Sequence, residues 1–335
     1  MQLNKIFLFF FCFTILLYFG KFILLPLSLA LFIYVITKSI TRKFLDSFEN
    51  YLNFKLNEIL ALFLIFLIIF SFFYFFWIVA KSNLLSVRQN ASNYQENLEQ
   101  VLLLLSNLPI NNFFQLENFT SSINLLLVFS KIINNLSSLA GNFSFILIFF
   151  IFFIVEEKYF IKKVELVYAK KQIETLKKIN NDVFTYFQIK SLTSLIVGIL
   201  TYIFLLILDN DLAPTFGFIS FFLNFIPFIG SILSIILPIF FSITQNLNFL
   251  DPLITFFLLT LTQVYVGNIL EPKLMGKTLN ISPLVMIIFL AFMGKIWGIA
   301  GMFLSVPLLV VILIVLRRIK STQRIAILLS DKGKY

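Results

Sequence analysis

The chain has 335 residues, of which 60% are hydrophobic and 13% charged, and its mean hydropathy is +0.98. A water-soluble globule runs nearer half apolar and a quarter charged, so this composition excludes one and points to an all-α polytopic membrane protein whose partner is the lipid bilayer. The formal charge of +10 sits between apolar runs and forms no groove-sized patch, so it reads as a topology signal and contact with anionic lipid, with no nucleic-acid partner.

In chain order, Ile6 to Phe19 follows Lys5 like a signal peptide, but no Ala-x-Ala-like site follows and Lys21 leads into a second apolar run. It is therefore expected to be a retained helix. Spans 6–20 and 22–37 are short for a hydrocarbon core that takes about 20 helical residues. They are either thin, extended by a turn into the headgroups, or fused into one curved element, with Pro26 near the start of the second. Lys38, Arg42, Lys43 and Lys55 mark a polar loop, and Ile59 to Ala80 forms a clear span ending in an aromatic belt, Tyr74 to Trp77. Residues 1–80 thus form an amino-terminal transmembrane unit.

Residues 81–143 are more polar, with apolar positions at helical spacing (Leu98, Val101, Leu102, Leu105, then Ile123, Leu126, Phe129, Ile133). This predicts a small extracytoplasmic domain of amphipathic helices. A span over 144–156 follows. From Glu156 to Lys190 there are eight Lys and no Arg, with apolar Ile173, Leu176, Ile179, Val183 and Phe187 at three-to-four spacing. A long amphipathic cytoplasmic helix over 157–190 is expected, its Lys meeting headgroups or solvent.

Residues 191–316 form a carboxy-terminal transmembrane core: a span at 191–208, an apolar block at 212–243, a span at 252–270, and a close pair at 281–294 and 297–316. About eight hydrophobic helical segments result, with a cytoplasmic tail over 317–335. The loops 38–57 and 157–190 and the tail are rich in Lys and Arg, which places them, with both termini, in the cytoplasm. A single crossing by 212–243 would put the tail outside. That block is therefore a re-entrant hairpin or two crossings, broken near Pro227–Gly230.

The chemistry concentrates in three places. In the first, Asn224-Phe-Ile-Pro-Phe-Ile-Gly230, Pro227 cannot complete a helix ladder and Gly230 permits unusual backbone angles. Irregular backbone at membrane depth is tolerated where it borders protein or a wet cavity, as in the broken helices of transporters; a kinked helix without a ligand is the alternative. The second gathers Gln263, Gly267, Asn268, Glu271, Pro272, Gly276 and Pro283. Gln263 and Asn268 carry groups that hydrocarbon does not satisfy, so each should face protein or water. Glu271 is either a solvated interface carboxylate or a cation or proton site. The third, Gly294, Gly298 and Gly301 with Pro307, forms a small-residue strip for helix packing or gating. Lys295 and Trp297 occupy the intervening turn. Asp209, Asp211 and Asp251 lie on the expected outer side, as ordinary loop carboxylates or as an attractor of cations.

Enzyme chemistry is poorly served. There is no histidine, the single Cys12 can form no intramolecular disulfide or metal pair, and no glycine-rich phosphate loop carries a lysine and serine. No cofactor, metal or ATP engine is expected.

These motifs resemble those of the AI-2E family, the autoinducer-2 exporter family of bacterial permeases. Asn224 to Gly230 resembles that family's Asn-x-Ile-Pro-Tyr-Ile-Gly signature, with Phe228 at the Tyr position. Gln263 to Gly276, reading QVYVGNILEPKLMG, is similar to its Gln-x-x-Glu-Gly-Asn-x-x-x-Pro-x-x-x-Gly signature, with Val266 at the Glu position. The run from Pro283 through Gly294, Gly298, Gly301 and Pro307 continues the likeness. The resemblance implies a multi-pass inner-membrane permease that forms a homo-oligomer, a pentamer in some relatives, and moves a small polar solute or a monovalent cation. Val266 removes a charge from the most diagnostic segment, although Glu271 remains nearby. Three functions stay open: export of a small polar organic solute, monovalent cation/proton antiport, and a non-transporting scaffold.

Overall fold

Apolar runs this long form helices because lipid offers no partner to a free N–H or C=O, and only an internally bonded backbone can cross it. The computed structural model describes residues 11–12, 14–52, 57–106, 143–245, 248–275, 281–318, 322–331 and 333, which are helices and turns throughout. The helices are α1 (Lys21–Leu52), α2 (Glu58–Gln89), α3 (Ala91–Ser106), α4 (Phe143–Val167), α5 (Lys170–Ile207), α6 (Ala213–Leu223), α7 (Ile229–Gln245), α8 (Leu250–Gln263), α9 (Glu271–Met275), α10 (Pro283–Arg318) and α11 (Gln323–Leu329). A π-helical segment, Val264–Leu270, joins α8 to α9.

Among the described residues, five helices are long and apolar enough to cross a membrane: Lys21–Asn50, Glu58–Val87, Gln172–Ile207, Leu250–Met275 and Pro283–Arg318. About eight hydrophobic segments were expected from the runs alone. The difference comes from fusion and from short elements. Backbone bonds cross Gly20, from Gly20 N to Leu16 O and from Leu24 N to Gly20 O, both 2.8 Å. Helical residues 14–19 therefore continue into α1 as one bent element. The expected polar loop 38–57 is helical as far as Leu52, because Lys38 is satisfied in place: its ammonium pairs with Glu157 and lies 3.9 Å from Glu58. The charged stretch 157–190 is not one helix. Its first part extends α4, the chain breaks at Tyr168–Ala169, and the rest runs without interruption into the apolar part of α5. Helices α6 and α7 are shorter apolar elements.

Helices α6 and α7 form a hairpin whose two ends meet. Asp211 N donates to Gln245 Oε1 at 3.0 Å, Gln245 Nε2 donates to the Asp209 carbonyl at 2.7 Å, and Asn210 Nδ2 donates to Ser242 Oγ at 3.1 Å. Helix α3 docks on the same end. Asn97 Nδ2 donates to the carbonyls of Thr244 and Gln245, and Tyr94 Oη donates to Asp211 Oδ2 at 2.6 Å. Residues 107–142, the remainder of the expected polar domain, lie outside the described residues.

Burial first, then the hydrogen bond to Asp211 and that carboxylate's charge, push the Tyr94 hydroxyl well above its ordinary value. A raised folded value means that its contribution is fully present below the unfolded value of about 10 and is lost as pH rises through the folded one. Docking of α3 is therefore expected to be flat between about pH 6 and 9. Tyr94→Phe should weaken it by about 1 kcal/mol, read as faster hydrogen exchange in α3.

The second hairpin lies within α10. Gly298 has φ 66° and ψ −145°, so the chain turns back between arms 283–297 and 299–318. A Cβ on Gly301 would lie 2.1 Å from the Met293 carbonyl, and one on Gly294 2.7 Å from Met302 Cε. Such contacts at a separation of eight residues are impossible in a straight helix. The expected strip on one helix face is thus the inside of a fold-back, and the close pair 281–294 and 297–316 is its two arms. The arms begin and end together, because Ser282 N donates to Leu329 O and Thr322 Oγ1 to Leu316 O around α11.

Gly298→Ala is expected to cost about 1–3 kcal/mol from backbone strain alone, since no atom lies within 4 Å of its would-be Cβ. Gly267→Ala, equally open but at negative φ, should cost far less. Thermal unfolding of the two variants separates them.

Candidate functional site

The two hairpins enter from opposite ends of the bundle. The ends of α6–α7 lie with α3 and the acidic turn at Asp209–Asp211. The arms of α10 open where basic residues find partners: Arg318 with Asp182 at 2.7 Å, Lys38 with Glu157, and Lys190 with Glu271. The tip of α6–α7 meets the second arm of α10 in an aromatic cluster. Phe225 lies 4.8 Å from Phe303 and 5.5 Å from Phe32, and Phe32 lies 5.1 Å from both Phe187 and Phe303. Edge-on ring packing of this kind fills space tightly without requiring a polar partner.

The tip itself is the Asn224–Gly230 segment. Ile226 N donates to Leu223 O and Gly230 N to Ile226 O, while Ile229 N reaches only the Pro227 carbonyl. Phe228 takes φ 59°, a left-handed angle rare for an aromatic residue. A Cβ on Gly230 would stand 1.8 Å from the Leu223 carbonyl oxygen, so glycine is what lets the two arms close. Asn224 is buried and its Nδ2 donates to Ser194 Oγ on α5 at 2.9 Å. The break thus borders protein, one of the two surroundings expected for it.

One turn before Ser194, Lys190 reaches the second motif. Its Nζ lies 2.8 Å from Glu271 Oε1 and 2.9 Å from Oε2, with both side chains largely shielded. Thr193 Oγ1 approaches Oε2 at 3.4 Å. The π-helical turn makes this geometry. Glu271 N bonds to Val266 O, five residues back, and the widened turn re-aims Glu271 relative to the α8 face. Val266 is fully buried. Gln263, at the start of the turn, donates to Ser234 Oγ on α7 at 2.6 Å.

Helix α5 is therefore the common support. Tyr186, Lys190, Thr193, Ser194 and Val197 follow the spacing of one helix face. All are buried, and their neighbours belong to both the hairpin tip and the π segment. Of the expected site residues, Asn224 and Glu271 are held by α5, Pro227 and Gly230 close the tip beside Asn224, and Gln263 is held by Ser234 on α7. Gly267 faces open space, Asn268 and Pro272 are exposed on the other side of the same segment, and Gly276 lies outside the described residues. Gly294, Gly298, Gly301 and Pro307 belong to the opposing hairpin.

Lys190 and Ser194 were not singled out in the sequence. The available signal was that no other Lys or Arg occurs between Lys190 and Lys273, and a lone cation beside an apolar run needs a counter-ion. Two cavities lie elsewhere. One of about 40 Å³ is lined by Phe73, Gly198, Gly217 and other apolar groups. The other, about 300 Å³, is lined by Tyr18, Phe292 and Lys295 among others. Neither touches the tip or the π segment.

Comparison with known proteins follows this layout. The profile of the AI-2E family transporter matches residues 6–321. A protein of Escherichia coli (strain K12), "AI-2 transport protein TqsA", is 28% identical over 319 residues, covering 93% of this chain and 90% of that protein. A "putative transport protein" of Borreliella burgdorferi is 38% identical over 168 residues, covering 48% of this chain and 46% of that protein. Another, of Haemophilus influenzae, is 33% identical over 221 residues, covering 64% and 63%. The matched regions of the last two thus span less than two thirds of those relatives.

Proposed function

Because the chain belongs to the AI-2E family of multi-pass membrane transporters, we propose that it exports a small polar organic solute of the autoinducer-2 class across the bacterial inner membrane, without an ATPase of its own. AI-2E proteins are transporters, not enzymes. The E. coli relative's name as an AI-2 transport protein supports the solute class. The observation that carries the path is the junction on α5, where Ser194 holds the hairpin tip and Lys190 holds Glu271. Two non-continuous elements held by a few polar contacts on one rigid helix can be released together. Export then proceeds by withdrawal of the 224–230 tip and the 263–276 segment from α5, with the hinge of the α10 hairpin at Gly298 accommodating the shift. In this reading α6–α7 is a re-entrant hairpin from the outer side. The crowded basic end and both termini face the cytoplasm, the 81–143 domain faces outward, and the eight hydrophobic segments count the paired arms separately.

We place a homo-oligomer contact on the face carrying Gly267, Asn268 and Pro272. An exposed amide there is costly against lipid and suits a neighbouring copy, in a pentamer as in some relatives.

Efflux of labelled autoinducer-2 from vesicles tests the reading. Glu271→Gln and Asn224→Ala should each cut the rate at least about tenfold, the effect of roughly 1.4 kcal/mol on a barrier. Wild-type rates in both variants would remove the proposed path. Monovalent cation/proton antiport is the second reading, drawn from the Glu271 carboxylate beside a helix defect. The bound Lys190 ammonium weighs against it. Proton movement in everted vesicles on sodium addition would restore it, and the scaffold reading predicts neither flux.

A further inference from the structure

The Glu271 carboxylate is held by an ammonium on a buried helix face that also carries neutral oxygens. Lys190 Nζ contacts both carboxylate oxygens, at 2.8 and 2.9 Å. Thr193 Oγ1 lies 3.4 Å from Oε2 while donating its proton to the Lys190 carbonyl at 3.1 Å, which leaves lone pairs on the hydroxyl. Tyr186, one turn before Lys190 on the same face, is 1% exposed. Its hydroxyl has no hydrogen-bond partner among the described residues. A buried hydroxyl without a partner is unusual and costly. A bidentate carboxylate with two hydroxyl oxygens is the donor set of a hard monovalent cation, which takes oxygen ligands only. Lys190 fills that position from within the chain.

We propose that the Lys190 ammonium is a tethered substitute for a dissolved sodium ion in a cation site formed by Glu271, Thr193 and Tyr186, so that the cycle of this transporter is independent of sodium at that carboxylate. The inference rests on the transport reading for its meaning, but the site itself does not. With Lys190 in place, sodium has no vacancy to fill. With Lys190 shortened to a neutral side chain, Glu271 is left with an uncompensated negative charge that a dissolved cation can take.

The test uses purified full-length protein in detergent, unfolded by heat in sodium chloride and in choline chloride at equal ionic strength. The wild type should melt at the same temperature in both. Lys190→Gln should melt lower in choline and be raised by sodium by about 5 °C. Lys190→Gln combined with Glu271→Gln should again be indifferent. A sodium-induced rise in the wild type, or its absence in Lys190→Gln, overturns the proposal. So does a Lys190→Gln protein that folds in neither salt while the double variant folds, since sodium then fails to satisfy the bare carboxylate. These melts involve no transported solute. Failed autoinducer-2 efflux beside a sodium-responsive Lys190→Gln would sink the export reading and keep the cation site; the converse pattern would do the reverse.

Discussion

Glu271→Ala is expected to destabilise the protein by about 3–5 kcal/mol, the cost of leaving one member of a shielded ion pair without the other. The Lys190 side chain is only 10% exposed and Glu271 16%, so water cannot take over from the lost carboxylate. The loss should not reflect intrinsic strength of the pair. Ions taken out of water gain little net energy from each other, and replacing both by apolar residues of similar volume is often neutral or stabilising. Lys190→Met with Glu271→Leu is therefore expected to recover most of the stability lost in Glu271→Ala, while efflux stays impaired because the contact that links the π segment to α5 has gone. Thermal unfolding of the single and double variants measures the first part, and vesicle efflux the second. Equal destabilisation in the single and double variants would show that packing, not the orphaned charge, sets the loss.

Gly230→Ala is expected to cost about 3 kcal/mol, the upper end of what overpacking does. The added methyl would meet the Leu223 carbonyl oxygen at 1.8 Å, and that atom is backbone that cannot swing away. The arms of α6–α7 must then separate at the tip, which pulls Phe225 out of the ring cluster with Phe32 and Phe303. It also loosens Asn224 from Ser194. Protease sensitivity near the tip and a lowered melting temperature should appear together. A variant with wild-type stability would mean that the close approach of the two arms is not required.

Much of this was legible in the residues. Pro227 and Gly230 announce a broken helix, and the charge parity of the flanking loops demands that 212–243 return toward the side it entered from. The bonds between Asp211 and Gln245 and between Asn210 and Ser242 join the two ends of that hairpin. Residues 157–190 were harder. Their lysines read as a free amphipathic face, yet Lys190 turns inward, because periodicity ranks residues by polarity and cannot see a counter-ion 81 positions away. The π-helical turn was invisible for a similar reason: Gly267 and Asn268 mark Val264 to Leu270 as unusual, but nothing in its residue spacing separates five-residue from four-residue hydrogen bonding. The glycines at 294, 298 and 301 have helical spacing, which suggested a small-residue strip on one face, although a turn between the last two helices was expected at 295–297. The positive φ of Gly298 puts the reversal at that glycine and the strip on its inside.

The most direct test locks the hairpin tip to α5. With the native thiol removed by Cys12→Ser, Ser194→Cys and Asn224→Cys put a thiol on each of the two side chains now joined by a 2.9 Å hydrogen bond. Gating by withdrawal of the tip predicts that oxidation stops autoinducer-2 efflux and that a reducing agent restores it. Unchanged efflux from fully cross-linked protein would contradict it, because the solute would then be crossing without the tip ever leaving Ser194.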